Sequence, residues 1–100
     1  MIHPTAIIAE NVELGINVKI GPFSIIERDV KIGDNCIIGN NVTIEPYVVI
    51  GSKVKIGNNV IIKSFSHLES CKIENKVEIG PYARIRPNTC LLYTSDAADE

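Results

Sequence analysis

The sequence predicts an all-β fold in which short parallel strands stack on one another as a β-helix. A large aliphatic residue recurs at every sixth position from Ile2 to Leu68, and the period resumes at Ile73, one residue early, and continues to Leu91. If this aliphatic residue is position 1 of a hexad, all seven glycines fall at position 2 and all five prolines fall at position 3. A strict period of six residues predicts that strands and corners alternate along the whole repeat.

Each hexad contains one strand. Position 5 is small or β-branched, as at Val42, Val48 and Val54, and position 1 is aliphatic. These two positions are two residues apart, so on a pleated strand their side chains point to the same side. A strand this short buries its apolar side only by stacking on further copies of itself, and we therefore predict that positions 5 and 1 form the interior.

Each hexad also contains a corner. The prolines occupy position 3, and position 4 is rich in asparagine, as at Asn11, Asn17 and Asn35. Proline presets φ for a turn, and asparagine tolerates the left-handed region of φ and ψ. Positions 3 and 4 are therefore predicted to turn the chain from one strand to the next.

Charge and composition narrow the classes of function. Residues 1–92 carry ten Lys or Arg and nine Asp or Glu, and Asp96, Asp99 and Glu100 supply the rest of the net charge of −2. A nearly neutral body argues against binding to nucleic acid. The chain has no apolar run long enough for a membrane span and no signal peptide, so we expect a cytoplasmic protein.

One segment carries a resemblance to known enzymes. The run I-G-P-Y-A-R-I-R-P at residues 79–87 resembles the I-G-P-[FY]-A-R-[LI]-R-P-G segment of the bifunctional N-acetylglucosamine-1-phosphate uridylyltransferase and glucosamine-1-phosphate acetyltransferase, with Asn88 in place of the glycine. The opening run, I-H-P-T-A-I-I-A-E-N-V-E-L-G, is also similar to the UDP-N-acetylglucosamine O-acyltransferase of lipid A synthesis, which uses an acyl carrier protein. The resemblance covers about residues 1–92, and only the segment 79–87 separates the two families.

The resemblance implies a single-stranded left-handed parallel β-helix with three hexads per coil, and so about five coils over residues 1–92. It also implies acetyl-coenzyme A as acyl donor, a sugar phosphate or UDP-sugar as substrate, and a homotrimer with sites between subunits. Its Mg²⁺ belongs to a separate nucleotidyltransferase domain. The products of such an enzyme serve peptidoglycan and lipopolysaccharide synthesis.

An 18-residue coil sorts the outward residues into three faces. The first contains Ile7, Ile25 and Ile61, an exposed apolar stripe of the kind that marks a contact between subunits; scattered β-branched residues on a strand surface are the alternative. One corner column brings Tyr47, Phe65 and Tyr82 above one another, and we interpret it as packing support, with ligand stacking as the alternative.

The second face contains the candidate substrate site. Arg84 and Arg86 flank Ile85 and would project two guanidinium groups from one strand, a geometry suited to a phosphate. We expect Glu69 to pair with Arg86 across adjacent strands. By the resemblance, Arg86 binds the sugar phosphate. The catalytic histidine of the family lies in a later coil, so no catalytic residue is assigned here, and we interpret His67 as a surface histidine.

The cysteines do not indicate a disulfide or a metal site. Cys36 and Cys71 fall in one interior column with Val54 between them, roughly 10 Å apart and beyond disulfide reach. Cys90 falls on an outward position. Neither a C-x-x-C motif nor a Cys and His ligand spacing occurs, so no metal site is predicted. By the resemblance, the contacts to acetyl-coenzyme A lie in a later coil, so no cofactor-binding residue is assigned.

The last residues, 93–100, break the six-residue period, and we interpret them as a tail foreign to the parent protein. Residues 1–92 are then a truncated β-helix that we expect to be inactive alone. The leading hypothesis is part of an acetyltransferase for glucosamine 1-phosphate, in UDP-N-acetylglucosamine synthesis. The alternatives are the first coils of the O-acyltransferase, or a non-catalytic oligomerisation module of a sugar nucleotidyltransferase.

Overall fold

The computed structural model describes residues 2–85 and, for the backbone alone, residues 90–91. Within this part of the chain the regular structure consists of two-residue strands, each combining the outward position 6 with the inward position 1 of a hexad. They are β1 (Ile7–Ile8), β2 (Glu13–Leu14), β3 (Lys19–Ile20), β4 (Ile25–Ile26), β5 (Lys31–Ile32), β6 (Ile37–Ile38), β7 (Thr43–Ile44), β8 (Val49–Ile50), β9 (Lys55–Ile56), β10 (Ile61–Ile62), β11 (His67–Leu68), β12 (Lys72–Ile73), β13 (Glu78–Ile79), β14 (Arg84–Ile85) and β15 (Cys90–Leu91).

The strands form three parallel sheets of five strands each. The first face is the sheet β1-β4-β7-β10-β13, the second face is β2-β5-β8-β11-β14, and the third face is β3-β6-β9-β12-β15. Consecutive strands thus belong to different faces, and every third strand returns to the same face one coil higher. The predicted all-β, left-handed parallel β-helix of hexapeptide repeats is confirmed.

The register fixes the length of a coil. Ile7 is aligned with Ile25, 18 residues away, and the same spacing holds in the lower coils. Ile61 is aligned with Glu78, only 17 residues away. The missing residue is absorbed at the corner that contains Ser70, whose φ is 36°. The 18-residue coil, shortened once where the period of the sequence slips, is therefore confirmed.

The interior contains the side chains predicted for it. Ile20, Ile38 and Ile56 are at most 2% exposed, and the residues at position 5 lie beside them in one continuous core. Burial of each such side chain contributes about 1.5–3 kcal/mol relative to exposure. The core includes the hydroxyl of Ser24, which donates to the carbonyl of Gly39 at 2.7 Å and accepts from the Val42 amide at 3.1 Å. A buried polar group at position 5 therefore finds its hydrogen-bond partners in the backbone of the next coil.

The corners adopt one backbone conformation. From Asn11 to Tyr82 the described residues at position 4 have positive φ, between 56° and 65° except at Ser70 in the shortened hexad, where φ is 36°. Asparagine and aspartate enter this region at low cost, which explains their frequency there. The glycines have no positive φ, so conformational freedom is not the reason for their position.

Polar side chains at position 3 connect neighbouring coils. The side-chain oxygen of Asn58 accepts a hydrogen bond from the Asn40 amide at 2.8 Å, and that of Asn75 accepts from the Asn58 amide at 2.7 Å. Asp34 does the same for the amide of Ile16 at 2.8 Å. Each of these side chains satisfies a corner amide that the sheet hydrogen bonds leave free, and so adds to the stacking of the coils.

Candidate functional site

The candidate site lies on the second face, where β11 and β14 are adjacent. His67 is aligned with Arg84, and the His67 amide donates to the carbonyl of Ala83 at 2.8 Å. The amide of Glu69 donates to the carbonyl of Ile85 at 3.1 Å on the other side of the same pair. These two bonds hold the strands together, and they place the outward side chains of His67 and Arg84 side by side on a rigid sheet.

Arg84 is the predicted substrate-binding residue that the structure describes. Its side chain is exposed, whereas Ala83 and Ile85 on either side of it are buried. No carboxylate within the described residues forms an ion pair with it. An exposed guanidinium without an anionic partner among the described residues is suited to bind a phosphate or carboxylate group.

Arg86, the second predicted substrate-binding residue, lies outside the described residues, and so does its expected pairing with Glu69. Within the described part of the chain Glu69 pairs with His67, whose Nε2 lies 3.0 Å from Oε2 of the carboxylate. The sequence contained the signal for this pair, because residues two apart on a strand point to the same side.

The His67 and Glu69 pair is open to solvent. The two side chains are 40% and 50% exposed, so the pair contributes little to stability. Nε2 of the imidazole faces the Glu69 carboxylate. The described residues place no serine, cysteine or second histidine against His67 in a hydrogen bond. The interpretation of His67 as a surface histidine beside an arginine is consistent with this geometry.

The aromatic column, which consists of Tyr47, Phe65 and Tyr82, borders the second face at the corner that joins it to the first face. The ring centroids of Tyr47 and Phe65 are 5.3 Å apart, those of Phe65 and Tyr82 are 5.2 Å apart, and the interplanar angles are 6° and 5°. The predicted stacking is confirmed. All three residues have φ between 61° and 65°, which is unusual for bulky side chains, so stacking offsets a local backbone cost.

The two described cysteine side chains are buried and free. Burial raises the pKa of the Cys71 thiol to about 11, and burial likewise raises the pKa of Cys36. Since the thiolate is the nucleophilic form, both residues are unsuited to nucleophilic catalysis at neutral pH. They serve as small core residues, as the sequence predicted.

The apolar stripe of the first face is exposed. Ile7, Ile25 and Ile61 are 59%, 37% and 39% exposed, and they lie on adjacent or next-adjacent strands of one sheet.

Among the described residues, no group of three or more His, Cys, Asp and Glu side chains lies close enough to hold a metal ion. That part of the chain also contains no helix of the length and apolarity needed to cross a membrane.

Comparison with known proteins agrees with this architecture. A model of the family described as bacterial transferase hexapeptide (six repeats) matches residues 11–46 and 36–70, which together span more than half of the chain. A stretch of 26 residues is 69% identical to the acyl-carrier-protein-dependent UDP-N-acetylglucosamine O-acyltransferase of Sulfurihydrogenibium sp.. That match covers 26% of this chain and only 10% of the length of the relative.

Two solved structures show the same fold. A candidate acetyltransferase from Bacillus cereus is similar with a TM-score of 0.64 and 20% identity, over 96% of this chain and 70% of that protein. A mutant of perosamine N-acetyltransferase from Caulobacter crescentus, in complex with CoA and GDP-perosamine, has a TM-score of 0.53 and 18% identity, over 96% of this chain and 50% of that protein. The period, the three sheets and the family match lead to one conclusion: the chain belongs to the bacterial transferase hexapeptide family.

Proposed function

We propose that this chain supplies the sugar-phosphate-binding part of an acyltransferase that transfers an acetyl group from acetyl-coenzyme A to the amine of glucosamine 1-phosphate. The observation that carries the proposal is the exposed guanidinium of Arg84, which has no anionic partner among the described residues and lies beside His67 on a rigid sheet. Arg86 joins it in the proposal on the strength of the sequence, because residues two apart on a strand share a face.

The proposed reaction is an acyl transfer. The amine nitrogen attacks the thioester carbonyl, the new C–N bond forms, the C–S bond breaks, the thiol leaves and a general base takes the amine proton. Arg84 would bind the phosphate through charge-assisted hydrogen bonds and so orient the amine. We assign no residue of this chain as the general base. Similarity to a perosamine N-acetyltransferase that was solved with CoA and GDP-perosamine supports this choice of donor and of substrate class.

A second candidate is transfer of an acyl group from an acyl carrier protein to a hydroxyl of UDP-N-acetylglucosamine. The 26-residue stretch that is 69% identical to such an O-acyltransferase favours it. Both candidate acceptors bear a phosphate group on the sugar, so Arg84 would have the same role in each. The two candidate functions are therefore distinguished by which acceptor binds more tightly, glucosamine 1-phosphate or UDP-N-acetylglucosamine.

We also propose that the exposed stripe formed by Ile7, Ile25 and Ile61 packs against other copies of the chain in a homotrimer. An apolar strip along one sheet is the kind of surface that an interface between subunits covers. The stripe and the Arg84 face meet at the corner of the aromatic column, so such an assembly would place a neighbouring subunit beside the proposed substrate site.

Ligand titration by NMR tests the proposal. The probes are glucosamine 1-phosphate, UDP-N-acetylglucosamine and glucosamine, the last without a phosphate. We expect saturable shifts around Arg84 with the two phosphorylated sugars and none with glucosamine. The variant Arg84→Gln should weaken binding about 10-fold or more, because a hydrogen bond to a charged group contributes about 1.5–3 kcal/mol.

Lys55→Gln is the matched control, since Lys55 is an exposed cation on the third face without an ion-pair partner among the described residues. Equal loss in Arg84→Gln and Lys55→Gln, or equal binding of glucosamine and its phosphate, would contradict the proposal. Tighter binding of UDP-N-acetylglucosamine would favour the O-acyltransferase candidate. We expect the chain alone to transfer no acetyl group.

A further inference from the structure

A hollow opens below the aromatic column, on the side of the earlier coils. Tyr47 is the first aromatic residue of that column, and the two coils before it place Asp29 and Asn11 at the same corner. The resulting hollow has a volume of about 490 Å³ and is lined by Asn11, Val12, Glu13, Asp29, Lys31 and Tyr47. Sites for small molecules commonly measure about 300–1,000 Å³, so the hollow is large enough for one planar ligand.

The ring of Tyr47 offers a stacking surface at the edge of this hollow. Phe65 covers the ring from the following coil at 5.3 Å. The guanidinium of Arg28, from the preceding coil, lies 5.5 Å from the centroid of the Tyr47 ring, and the Arg28 side chain is 54% exposed. Phe65 and Arg28 thus cover the Tyr47 ring from the following and the preceding coil, so a base that stacks on Tyr47 must take the place of the exposed Arg28 guanidinium. Tyrosine rings and guanidinium planes are the two surfaces on which nucleobases stack in proteins.

The polar residues around the hollow have hydrogen-bonding capacity to spare. Glu13 and Lys31 are directly opposite on the adjacent strands β2 and β5, yet they form no ion pair. The side chain of Asn11 likewise has no hydrogen bond to another described residue. Oppositely charged neighbours on a sheet ordinarily pair. Their separation leaves a carboxylate, an ammonium and an amide free to meet a ligand.

The choice of ligand follows from these donors and acceptors. The carboxylate of Glu13 accepts hydrogen bonds, Lys31 donates them and Asn11 does both. The Asp29 carboxylate lies 3.7 Å from Nε of Arg28 in an exposed ion pair, so it accepts from a ligand once that guanidinium has moved aside. Guanine presents two adjacent N–H groups on one edge and carbonyl and ring-nitrogen acceptors on another, and it has a large planar face. Uracil offers a smaller face and a single ring N–H. A chain with a net charge of −2 lacks the excess of basic residues that a nucleic acid strand requires, so we expect the ligand to be a free nucleotide and not a strand.

We propose that this hollow binds the base of a free purine nucleotide, with guanine preferred, stacked on Tyr47 and hydrogen-bonded by Asp29 and Glu13. The site lies on coils below the one that contains Arg84, and it does not depend on the proposed acyl transfer. It assigns to the start of the β-helix a binding role separate from the sugar-phosphate site.

Titration of the chain with guanosine 5′-monophosphate tests this site, with uridine 5′-monophosphate and ribose 5-phosphate as comparisons. We expect upfield shifts of the Tyr47 ring protons and preference for the guanine nucleotide over uridine 5′-monophosphate. Tyr47→Asn should weaken binding by about 10-fold or more, because it removes the stacking surface. Asparagine suits the positive φ of 65° at this position, so the variant is expected to fold.

Tyr82→Asn is the matched control, since it removes a ring from the far end of the same column at a similar φ of 61°. It should leave binding within about 2-fold. Asp29→Asn should reduce the preference for guanine over uracil while the chain stays folded. The proposal is overturned if no saturable shift occurs, if ribose 5-phosphate binds as tightly as guanosine 5′-monophosphate, or if Tyr47→Asn and Tyr82→Asn weaken binding equally.

Discussion

Gly39 and Asn58 lie on adjacent coils, so close together that a side chain at position 39 would collide with the side chain of Asn58. The Oδ1 atom of Asn58 accepts the hydrogen bond of the Asn40 amide at 2.8 Å. A Cβ atom added to Gly39 would lie 2.5 Å from that same oxygen and 2.5 Å from the carbonyl oxygen of Gly57. Glycine at position 2 therefore makes room for a polar side chain at position 3 of the next coil.

We predict that Gly39→Ala lowers the free energy of unfolding by about 1–3 kcal/mol, because the backbone of the next coil must shift to accept a methyl group. Gly80→Ala is the control, since a Cβ at Gly80 meets no atom of the described residues within 4 Å. It should be neutral, or stabilising by less than about 1 kcal/mol. Denaturant unfolding measures both, and equal effects of the two substitutions would contradict this explanation of the glycine pattern.

The same relationship predicts coupling between two residues. Asn58→Ala removes the side-chain oxygen that a methyl group on Gly39 would meet, although the contact with the backbone of Gly57 remains. Gly39→Ala should therefore cost less in the Asn58→Ala background than in the unsubstituted chain. A double-mutant cycle of unfolding free energies measures the difference, and strict additivity would mean that Asn58 is not the group that excludes the methyl.

The aromatic column yields a further prediction. Phe65→Ala should destabilise the chain by about 1–3 kcal/mol more than Phe23→Ala. Both phenylalanines are exposed and have a φ near 60°, but Phe65 stacks on two rings. Each aromatic pair contributes about 0.5–1.5 kcal/mol. Thermal and denaturant unfolding of the two variants provide the comparison, and an equal loss would show that stacking adds nothing beyond burial.

The buried thiol of Cys71 predicts a dependence of stability on pH. Burial raises its pKa from 9.0 to about 11, so between these values the unfolded chain has lost the thiol proton and the folded chain retains it. The contribution of the neutral thiol is complete below pH 9 and is lost as pH rises toward 11, by up to about 1.4 kcal/mol for each pH unit.

Cys71→Val isolates this effect, because Val54 already occupies the same interior column one coil earlier and is 1% exposed. The free energy of unfolding of the unsubstituted chain should fall more steeply between pH 9 and 11 than that of the variant. Parallel curves for the two proteins would show that the thiol does not titrate in this range.

The apolar stripe of the first face predicts an oligomer that charged substitutions should dissociate. If the stripe is an interface, the double substitution Ile25→Lys with Ile61→Lys should convert the oligomer to a monomer in sedimentation velocity, because it places charges in an apolar contact. Ile37→Lys is the control, since Ile37 is similarly exposed, at 41%, but lies on the third face. An oligomer that survives the double substitution, or dissociates equally in the control, would remove the first face as the interface.

Sequence periodicity predicted most of the fold because the interior of a β-helix is decided locally. Ile20, Ile38 and Ile56 are buried for the same reason that they recur: each strand must bury one side against an identical strand above and below. The slip of one residue was also visible, and the structure places it at Ser70. Less of the site could be predicted, because a six-residue period says which side chains point outward and not which partner each one takes.

Two pairs of polar residues on the second face show why outward contacts are harder to predict than the interior. Glu69 pairs with His67 at 3.0 Å, a contact that the sequence analysis did not predict, and its expected partner Arg86 lies outside the described residues. Glu13 and Lys31 are aligned as an 18-residue coil requires, and nothing in the sequence indicated that they would remain unpaired beside a hollow. Side-chain rotamers on an exposed face depend on competing neighbours and solvent, so alignment alone does not determine contacts.

By itself the sequence determined the alternation of strand and corner, the residues of the interior and the columns of the three faces, because these follow from a period of six and a coil of three hexads. Only the tertiary structure decided why glycine occupies position 2, how Tyr47 and Arg28 meet, and which polar groups on the second face stay free. The physical reason is that these features depend on distances between neighbouring coils, and a one-dimensional pattern contains no such distances.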